Sequence, residues 1–301
     1  MQTEQGKALI YLKLVATMTL WGGTFIAGRL LADMGATSGA LLRFVAATAF
    51  LLAVTLRKEG RLAPLPRSQW GKVTFLAFTG VFLYNICFLY GLQTVPAGRA
   101  SLIIASIPAI IAVASALLFK ERLTALKVLG VALSIIGAMT VISRGDLLMV
   151  FDHASLGDLF ILGCVGSWAA YSLMGKQVMG ELSPLAAVTW SCILGTIMLL
   201  PVALGTGLAG ELAQATPVDW LSCVYLGVCG TGLGFTWYYQ GIQRLGAARA
   251  GVFINLVPVN AVTMGCLLLG EPVGLSLLAG AALIITGVYL VNKPPRLRPA
   301  A

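Results

Sequence analysis

Apolar segments long enough to cross a lipid bilayer recur along the whole chain. A helix needs about 20 apolar residues to cross a hydrocarbon core roughly 30 Å thick. Because a chain in lipid must satisfy its backbone hydrogen bonds internally, such segments are expected to be helices. The pattern predicts an all-α integral membrane protein with ten transmembrane helices. The segments are 9–32, 38–56, 71–93, 98–119, 124–142, 157–178, 184–206, 217–240, 248–269 and 274–292.

Composition supports this class and argues against several functions. The chain is 58% hydrophobic and 10% charged, whereas soluble domains contain about 25% charged residues. Its net charge of +9 lies mainly between the apolar segments, so it indicates membrane topology and not a nucleic-acid partner. The six cysteines lie in apolar runs without ligand spacing, and the one histidine, His153, lies in a polar loop. We therefore expect no metal site, no cofactor and no nucleic acid.

The distribution of charge predicts the orientation in the membrane. If the N-terminus is cytoplasmic, most basic residues fall on the inner side, including the cluster at 57–61. The outer side then receives most acidic residues, with Arg99 and Arg144 as basic exceptions. The opposite orientation would violate the positive-inside rule at almost every loop. An even number of spans then gives an N-in/C-in topology.

The sequence repeats itself after about 150 positions. The motif Gly91-x-Gln93-x-x-x-Ala97-x-Arg99-Ala100 returns as Gly241-x-Gln243-x-x-x-Ala247-x-Arg249-Ala250 without a gap. Unrelated apolar helices match on leucine, valine and alanine, whereas these segments also match on glutamine, arginine, proline and glutamate. We therefore interpret the chain as two repeats. Further matched pairs are Ile104 with Ile254, Pro108 with Pro258, Glu121 with Glu271, Gly130 with Gly280, and Gly137 with Gly287.

The repeat has a geometric consequence for the fold. Residues 1–146 and 147–301 each contain five predicted spans. Because five is an odd number, the second half must enter the membrane in the opposite orientation. The prediction is a pair of inverted five-helix repeats related by a pseudo-two-fold axis in the membrane plane. Such a pair has two nearly equivalent arrangements, which suits alternating access with a binding site near the midplane.

The repeated pattern Gly-x-Gln…Ala-x-x-Ala…Pro…Glu…Gly…Gly resembles the EamA-type domain of the drug/metabolite transporter superfamily. Residues 20–25 (Leu-Trp-Gly-Gly-Thr-Phe) and 41–44 (Leu-Leu-Arg-Phe) are also similar to it. The second half echoes them more weakly at 167–171, and Trp190 stands where a counterpart of Arg43 is expected. The overall pattern is most similar to bacterial aromatic amino acid exporters of the YddG type.

The resemblance covers nearly the whole chain and implies a multi-pass transporter in the bacterial inner membrane. It implies a small-molecule substrate, and family members carry amino acids, other metabolites, drugs and nucleotide sugars. We expect export of amino acids, aromatic ones included, or of similar small amphipathic metabolites, by a monomer or weak oligomer in the lipid bilayer. The alternative is a proton-coupled carrier of drugs or other metabolites.

Acidic residues bear on coupling and on enzymatic function. Every aspartate and glutamate lies in a loop or within about one turn of a span end. No carboxylate is therefore predicted at mid-depth to relay protons, which favours uniport or exchange. A membrane enzyme would need a nucleophile with a base, or a metal cluster, at depth. We expect neither, so the chain is not predicted to be an enzyme.

Basic and aromatic residues at depth are the candidates for substrate binding. Arg43 lies about two turns inside the second span, where it either pairs with a substrate carboxylate or donates to helix-end carbonyls. Arg29 and Lys176 lie near span ends, where snorkelling to the interface accounts for them. Tyr90 and Trp21 are expected among the aromatic residues of the interface. The predicted substrate-binding residues are Arg43, Tyr84, Asn85, Phe88, Trp168, Tyr171, Trp237 and Asn255.

Three further sets of residues have predicted structural roles. Pro108 and Pro258 lie mid-span, where proline bends a helix, either as a static kink or as the hinge of a gate. Glu121 and Glu271 are expected to accept backbone N–H groups at the start of the next helix. Arg99 is expected to donate to carbonyls of the preceding helix.

Overall fold

A computed structural model of the chain is helical throughout the residues that it describes, which are 4–31, 34–111, 114, 125–142, 145–146, 154–245, 250 and 253–292. No strand occurs in these ranges. The helices are α1 (Glu4–Leu30), α2 (Ala36–Glu59), α3 (Arg67–Thr94), α4 (Ala97–Ile111), α5 (Ala125–Ile142), α6 (Leu156–Val178), α7 (Pro184–Gly205), α8 (Pro217–Leu245), α9 (Leu256–Leu269) and α10 (Leu275–Asn292). A short helix, Leu208–Gln214, connects α7 to α8.

Helices occupy all ten predicted segments. Six of them, α1, α2, α3, α6, α7 and α8, are long and apolar enough to cross a membrane. The other four are apolar but shorter in the described ranges. Large apolar side chains cover the outer surface, with Leu267 exposed to 77% and Leu275 to 86%. A surface of this kind fits contact with lipid, so the structure is that of a multi-pass membrane protein.

Short polar signals set where several helices begin and end. Ser155 accepts from the Asp158 N–H while the Asp158 carboxylate accepts from the Ser155 N–H, which closes a capping box at the start of α6. Thr216 and Asp219 form the same box at the start of α8. Gly60 ends α2 with φ of 74°, a left-handed conformation that glycine adopts without steric cost.

Helices α3 and α8 each contain a π-helical stretch at corresponding positions of the two halves. The stretches are Ala77–Leu83 and Tyr225–Leu233, about 150 residues apart. In the second, the Thr231 hydroxyl donates to the Leu226 carbonyl at 3.2 Å, five residues back. π-Helical turns are rare and are frequent at functional sites. The repeat of the sequence therefore extends to an irregularity of the backbone.

Helix α4 and the chain before α9 are also irregular at equivalent positions. A turn at 105–106 interrupts α4, where the Ser106 N–H donates to the Ile103 carbonyl at 3.1 Å. In the second half a 3₁₀ turn, Phe253–Asn255, precedes α9. Pro108 and Pro258 follow these breaks by two or three residues, and proline disrupts the helix on its N-terminal side because it lacks an N–H.

Packing joins each helix to helices of the other half. Helices α1 to α5 correspond in order to α6 to α10. The contact between α1 and α9 therefore has as its counterpart the contact between α6 and α4. In the same way, the contact of α3 with α6 corresponds to that of α8 with α1, and the contact of α2 with α8 to that of α7 with α3. All six contacts are present. Equivalent helices also pack against each other, α2 against α7 and α5 against α10. The core is therefore shared between the halves.

Helices α2 and α7 run antiparallel along a line of threonines. Three hydroxyl pairs join them, and the residue number rises on one helix as it falls on the other. The pairs are Thr37 with Thr206 at 2.6 Å, Thr48 with Thr196 at 3.1 Å, and Thr55 with Thr189 at 3.1 Å.

Helices α5 and α10 are also antiparallel and approach closely at glycines. A Cβ atom on Gly137 would lie 2.8 Å from the Gly280 carbonyl oxygen, and a Cβ atom on Gly287 would collide with the Gly130 carbonyl. The Ser134 hydroxyl, between these two contacts, donates to the Ile284 carbonyl at 3.4 Å. Small residues permit this backbone contact, as is usual where membrane helices cross.

Candidate functional site

A cavity lies where the two halves meet, and both halves line it. Its volume is about 50 Å³, which is room for a few water molecules. A solute of amino acid size therefore requires its walls to move. The lining residues come from α1, α2, α3, α4, α6, α8 and the start of α9: Trp21, Thr24, Phe25, Arg43, Tyr84, Phe88, Ile104, Ile107, Trp168, Phe235, Ile254 and Val257.

Arg43 is the only charged side chain among these lining residues. The residue is 3% exposed, and its Nε donates to the Thr231 hydroxyl at 3.1 Å. Its guanidinium carbon lies 5.4 Å from the centre of the Phe44 ring. Within the described ranges no carboxylate forms an ion pair with it. A buried cation without a counter-charge is costly, so the cavity favours an anionic group.

The walls around this cation are aromatic, and Trp168 is central to them. Its ring centre lies 5.7 Å from that of Trp21, 5.2 Å from that of Tyr84 and 5.1 Å from that of Phe235. The contacts with Trp21 and Phe235 are edge-to-face, a favourable arrangement of ring quadrupoles. Such a surface accepts an apolar or aromatic group beside the charged one.

The two tryptophans of the wall differ in their hydrogen bonds. Trp21 donates its Nε1–H to the Gly230 carbonyl at 2.9 Å, inside the second π-helical stretch. Trp168, which occupies the comparable place in the second half, donates to no residue that the structure describes, although it is 6% exposed. The Tyr84 hydroxyl likewise makes no hydrogen bond with any described residue. Trp168 and Tyr84 therefore offer polar groups to a solute in the cavity.

Asn85 explains part of this difference between the halves. Its amide donates to the carbonyls of Gly80 at 3.2 Å and Val81 at 2.8 Å. Gly80 is the repeat counterpart of Gly230, so its carbonyl is occupied by Asn85 and not by a tryptophan. Asn85 is fully buried and does not line the cavity.

The structure brings together four of the eight predicted substrate-binding residues. Arg43, Tyr84, Phe88 and Trp168 all line the cavity. Tyr171 lies behind them, with its ring centre 5.2 Å from that of Trp168. The structure does not bring Asn85 or Trp237 to the cavity, and Trp237 is half-buried elsewhere on α8. Several residues named in the sequence-based predictions lie outside the described part of the chain, wholly or in their side chains: Glu121, Arg144, His153, Lys176, Arg249 and Asn255.

The sequence prediction omits eight lining residues, among them Trp21, which it places at the membrane interface. The repeat holds a signal that could have found several of them. Ile104 and Ile107 of the first half correspond to Ile254 and Val257 of the second at a shift of 150. Because residues of both halves line the cavity, one member of each equivalent pair indicates the other. Phe25, Thr24 and Phe235 carry no such signal.

Trp190, at the repeat position of Arg43, lies away from the cavity. Its Nε1–H donates to the Ala63 carbonyl at 2.9 Å, and its ring packs on Trp70. The second half therefore contributes no counterpart of Arg43 to the described lining of the cavity.

At one end of the molecule, two carboxylates of the second half hold the start of α4. The Arg99 guanidinium donates to Asp158 through Nε at 2.9 Å and through Nη2 at 2.7 Å. The Glu271 carboxylate accepts from the N–H groups of Ala97 at 2.8 Å and Gly98 at 3.1 Å. These contacts join the two halves at this end.

Three of the structural predictions need correction here. Glu271 does not cap the next helix but the start of α4 in the other half, since the loop between α9 and α10 lies against those free N–H groups. Arg99 pairs with Asp158 instead of with helix-end carbonyls. Arg29, for which snorkelling to the interface is predicted, instead donates to helix-end carbonyls. Its partners are the carbonyls of Leu92 at 2.7 Å and Gln93 at 3.2 Å, at the end of α3.

Comparison with known proteins decides the family. The sequence model of the EamA-like transporter family matches residues 8–143 and, a second time, residues 155–293. The chain belongs to the EamA-like transporter family. It is therefore a membrane transporter, and its two EamA-like matches cover nearly its whole length.

Relatives of this EamA-like chain are transporters of similar length. The uncharacterized transporter YetK of Bacillus subtilis is 28% identical over 298 residues, covering 97% of this chain and 90% of YetK. An uncharacterized transporter of Archaeoglobus fulgidus is 30% identical, covering 94% of this chain and 98% of the relative. A probable terminal-alkyne amino-acid exporter of Streptantibioticus cattleyicolor is 28% identical, with coverage of 93% and 92%.

A crystal structure that is 21% identical in sequence has the same fold. It superposes with a TM-score of 0.67 over 94% of this chain and 96% of that one.

Proposed function

We propose that this EamA-like transporter exports amino acids, aromatic ones included, or similar small amphipathic carboxylates across a bacterial inner membrane. Arg43 carries the proposal, because it is a buried cation without a carboxylate partner in the described ranges and lies in a cavity with aromatic walls. A carboxylate beside an apolar side chain complements that arrangement. The name of the Streptantibioticus relative and the resemblance to YddG-type exporters agree with it.

The proposed mechanism is alternating access between two inverted five-helix repeats, 1–146 and 147–301, in a ten-span N-in/C-in topology. Its support is the antiparallel packing of equivalent helices, α2 with α7 and α5 with α10. An axis in the membrane plane reverses a helix that crosses the membrane, so an inverted repeat requires this direction. The π-helical stretches and the breaks near Pro108 and Pro258 follow the same relation.

The proposed transport is uniport or exchange. Among the described acidic residues, Asp158 and Asp219 stand in the first turns of α6 and α8, and Glu59 stands at the end of α2. None of the residues that line the cavity is acidic. Without a carboxylate at the site, a proton relay of the usual kind is missing from the described part. Concentrative uptake driven through the purified protein by a pH gradient would contradict this part of the proposal.

Counterflow in proteoliposomes tests the function. Liposomes loaded with unlabelled phenylalanine are diluted into tritiated phenylalanine, and transient accumulation of label reports exchange. The wild type is expected to accumulate label, and R43M is expected to lose nearly all of this activity because it removes the cation.

The matched control is R57M, which removes an exposed arginine in the last turn of the same helix. It is expected to retain exchange. Equal exchange by R43M and the wild type, or failure of the wild type to exchange any amino acid in a panel, would refute the proposal.

A further inference from the structure

Residues at or beside both helix breaks line the cavity. Ile104 and Ile107 of the first half line it, and so do Ile254 and Val257 of the second. Equivalent positions of the two halves, at or beside stretches of irregular backbone, therefore line the same space.

Proline changes the chemistry of this backbone. In a regular helix the N–H of residue i donates to the carbonyl of residue i−4. Pro108 and Pro258 have no N–H, so they cannot supply that bond to the carbonyls of Ile104 and Ile254. In the described part of the chain no side chain donates to either carbonyl, and the nearby Ser106 hydroxyl donates to Ile103 at 2.7 Å. At membrane depth a carbonyl without its helical donor needs another partner.

The side chains that line the cavity offer an ammonium group no anionic partner. None of them is acidic, and the neutral acceptors among them are the hydroxyl oxygens of Thr24 and Tyr84. An amino acid is a zwitterion, so its ammonium group must also find acceptors once it leaves water. Backbone carbonyls of interrupted helices are suited to this, since they carry partial negative charge without the cost of a buried carboxylate.

We propose that the carbonyls of Ile104 and Ile254 form a subsite for the ammonium group of the substrate. This inference rests on the proposed function, in which Arg43 receives the carboxylate. Together the two subsites select α-amino acids over carboxylates that lack the amine. Pro108 and Pro258 then act by leaving an acceptor free, in addition to bending the chain.

The test compares phenylalanine with 3-phenylpropionate, which has the same ring and carboxylate without the amine. Each competes with tritiated phenylalanine in counterflow. In the wild type, phenylalanine is expected to compete at least about tenfold better, because acceptors built for a donor reject a ligand without it. In P108A and P258A the alanine N–H can donate to the Ile104 or Ile254 carbonyl. Each variant is expected to lose most of the preference by binding phenylalanine more weakly, with phenylpropionate unchanged.

P201A is the matched control, since Pro201 is an exposed proline inside α7 that does not line the cavity. It is expected to keep the preference of the wild type. If P108A and P258A weaken competition by phenylalanine and by 3-phenylpropionate equally, the prolines act only on conformation and the subsite is refuted. The wild-type comparison needs no variant to fold, and equal competition by phenylpropionate overturns the proposal by itself. That result leaves amino acid exchange intact, whereas failure of the proposed function abolishes exchange altogether.

Discussion

Replacing Asp158 with asparagine removes the charge that joins α6 to α4 across the two halves. The Arg99 side chain is 11% exposed and that of Asp158 is 2% exposed. Neutralising one partner of an ion pair buried this deeply costs about 3–5 kcal/mol, whereas exposed pairs contribute less than about 1 kcal/mol. In a chain of this length each kcal/mol shifts the midpoint of thermal unfolding by about 2 °C. D158N is therefore expected to lower the melting temperature in detergent by about 6–10 °C.

Asp219 supplies a matched control, because it closes the same capping box and forms no ion pair with a described arginine. The Thr216 N–H meets Asp219 at 2.8 Å, as the Ser155 N–H meets Asp158 at 2.8 Å. D219N keeps an oxygen that accepts from the Thr216 N–H and loses only the negative charge in the first turn of α8, which is worth about 0.3–1 kcal/mol, so its melting temperature is expected to fall by at most about 2 °C. The D158N/R99Q cycle isolates the pair. Equal shifts for D158N and D219N, or additive effects of D158N and R99Q, would refute the reasoning.

Two further predictions concern the wall of the cavity and the contact between α5 and α10. W168F keeps an aromatic ring but removes the indole N–H that we propose as a donor to the substrate carboxylate, so KM in counterflow is expected to rise about tenfold or more; an unchanged KM would exclude that donor. W21F loses its bond to Gly230 and is expected to lower thermal stability more than W168F does. G137A places a Cβ atom 2.8 Å from the Gly280 carbonyl and is expected to cost about 1–3 kcal/mol. G166A, with open space around the added carbon, is expected to stabilise α6 slightly, and equal melting temperatures for both would contradict the close packing.

The sequence predicts the positions of the helices well because the requirement of the bilayer is local. Each apolar segment must satisfy its own backbone, so length and hydropathy suffice to place a helix there. The repeat also predicts that positions about 150 residues apart have equivalent local structure. Pro108 and Pro258 each follow a helix break, as expected from the missing N–H. Arg43 and Trp168 were found because a charge or a large aromatic ring at depth is exceptional.

What the sequence could not supply is the choice of partner. Glu271 caps whichever free N–H groups packing brings to it, and those belong to α4 in the other half. Asn85 is predicted to contact substrate, but its amide donates instead to the carbonyls of Gly80 and Val81, about one turn earlier in the π-helical stretch. Trp21 is predicted to lie at the membrane interface, but its indole N–H donates to the carbonyl of Gly230 in the other half. Such contacts depend on how the halves dock, which no local pattern encodes.

The most direct test of the account is competition by phenylalanine and by its amide for phenylalanine counterflow. The amide keeps the ring and the ammonium group but replaces the carboxylate that Arg43 is proposed to bind. We predict that the acid competes at least about tenfold better than the amide in the wild type, because a hydrogen bond to a charged group is worth about 1.5–3 kcal/mol. We also predict that R43Q loses this difference in competition binding. An amide that competes as well as the acid, or an R43Q variant that keeps the preference, would contradict the account.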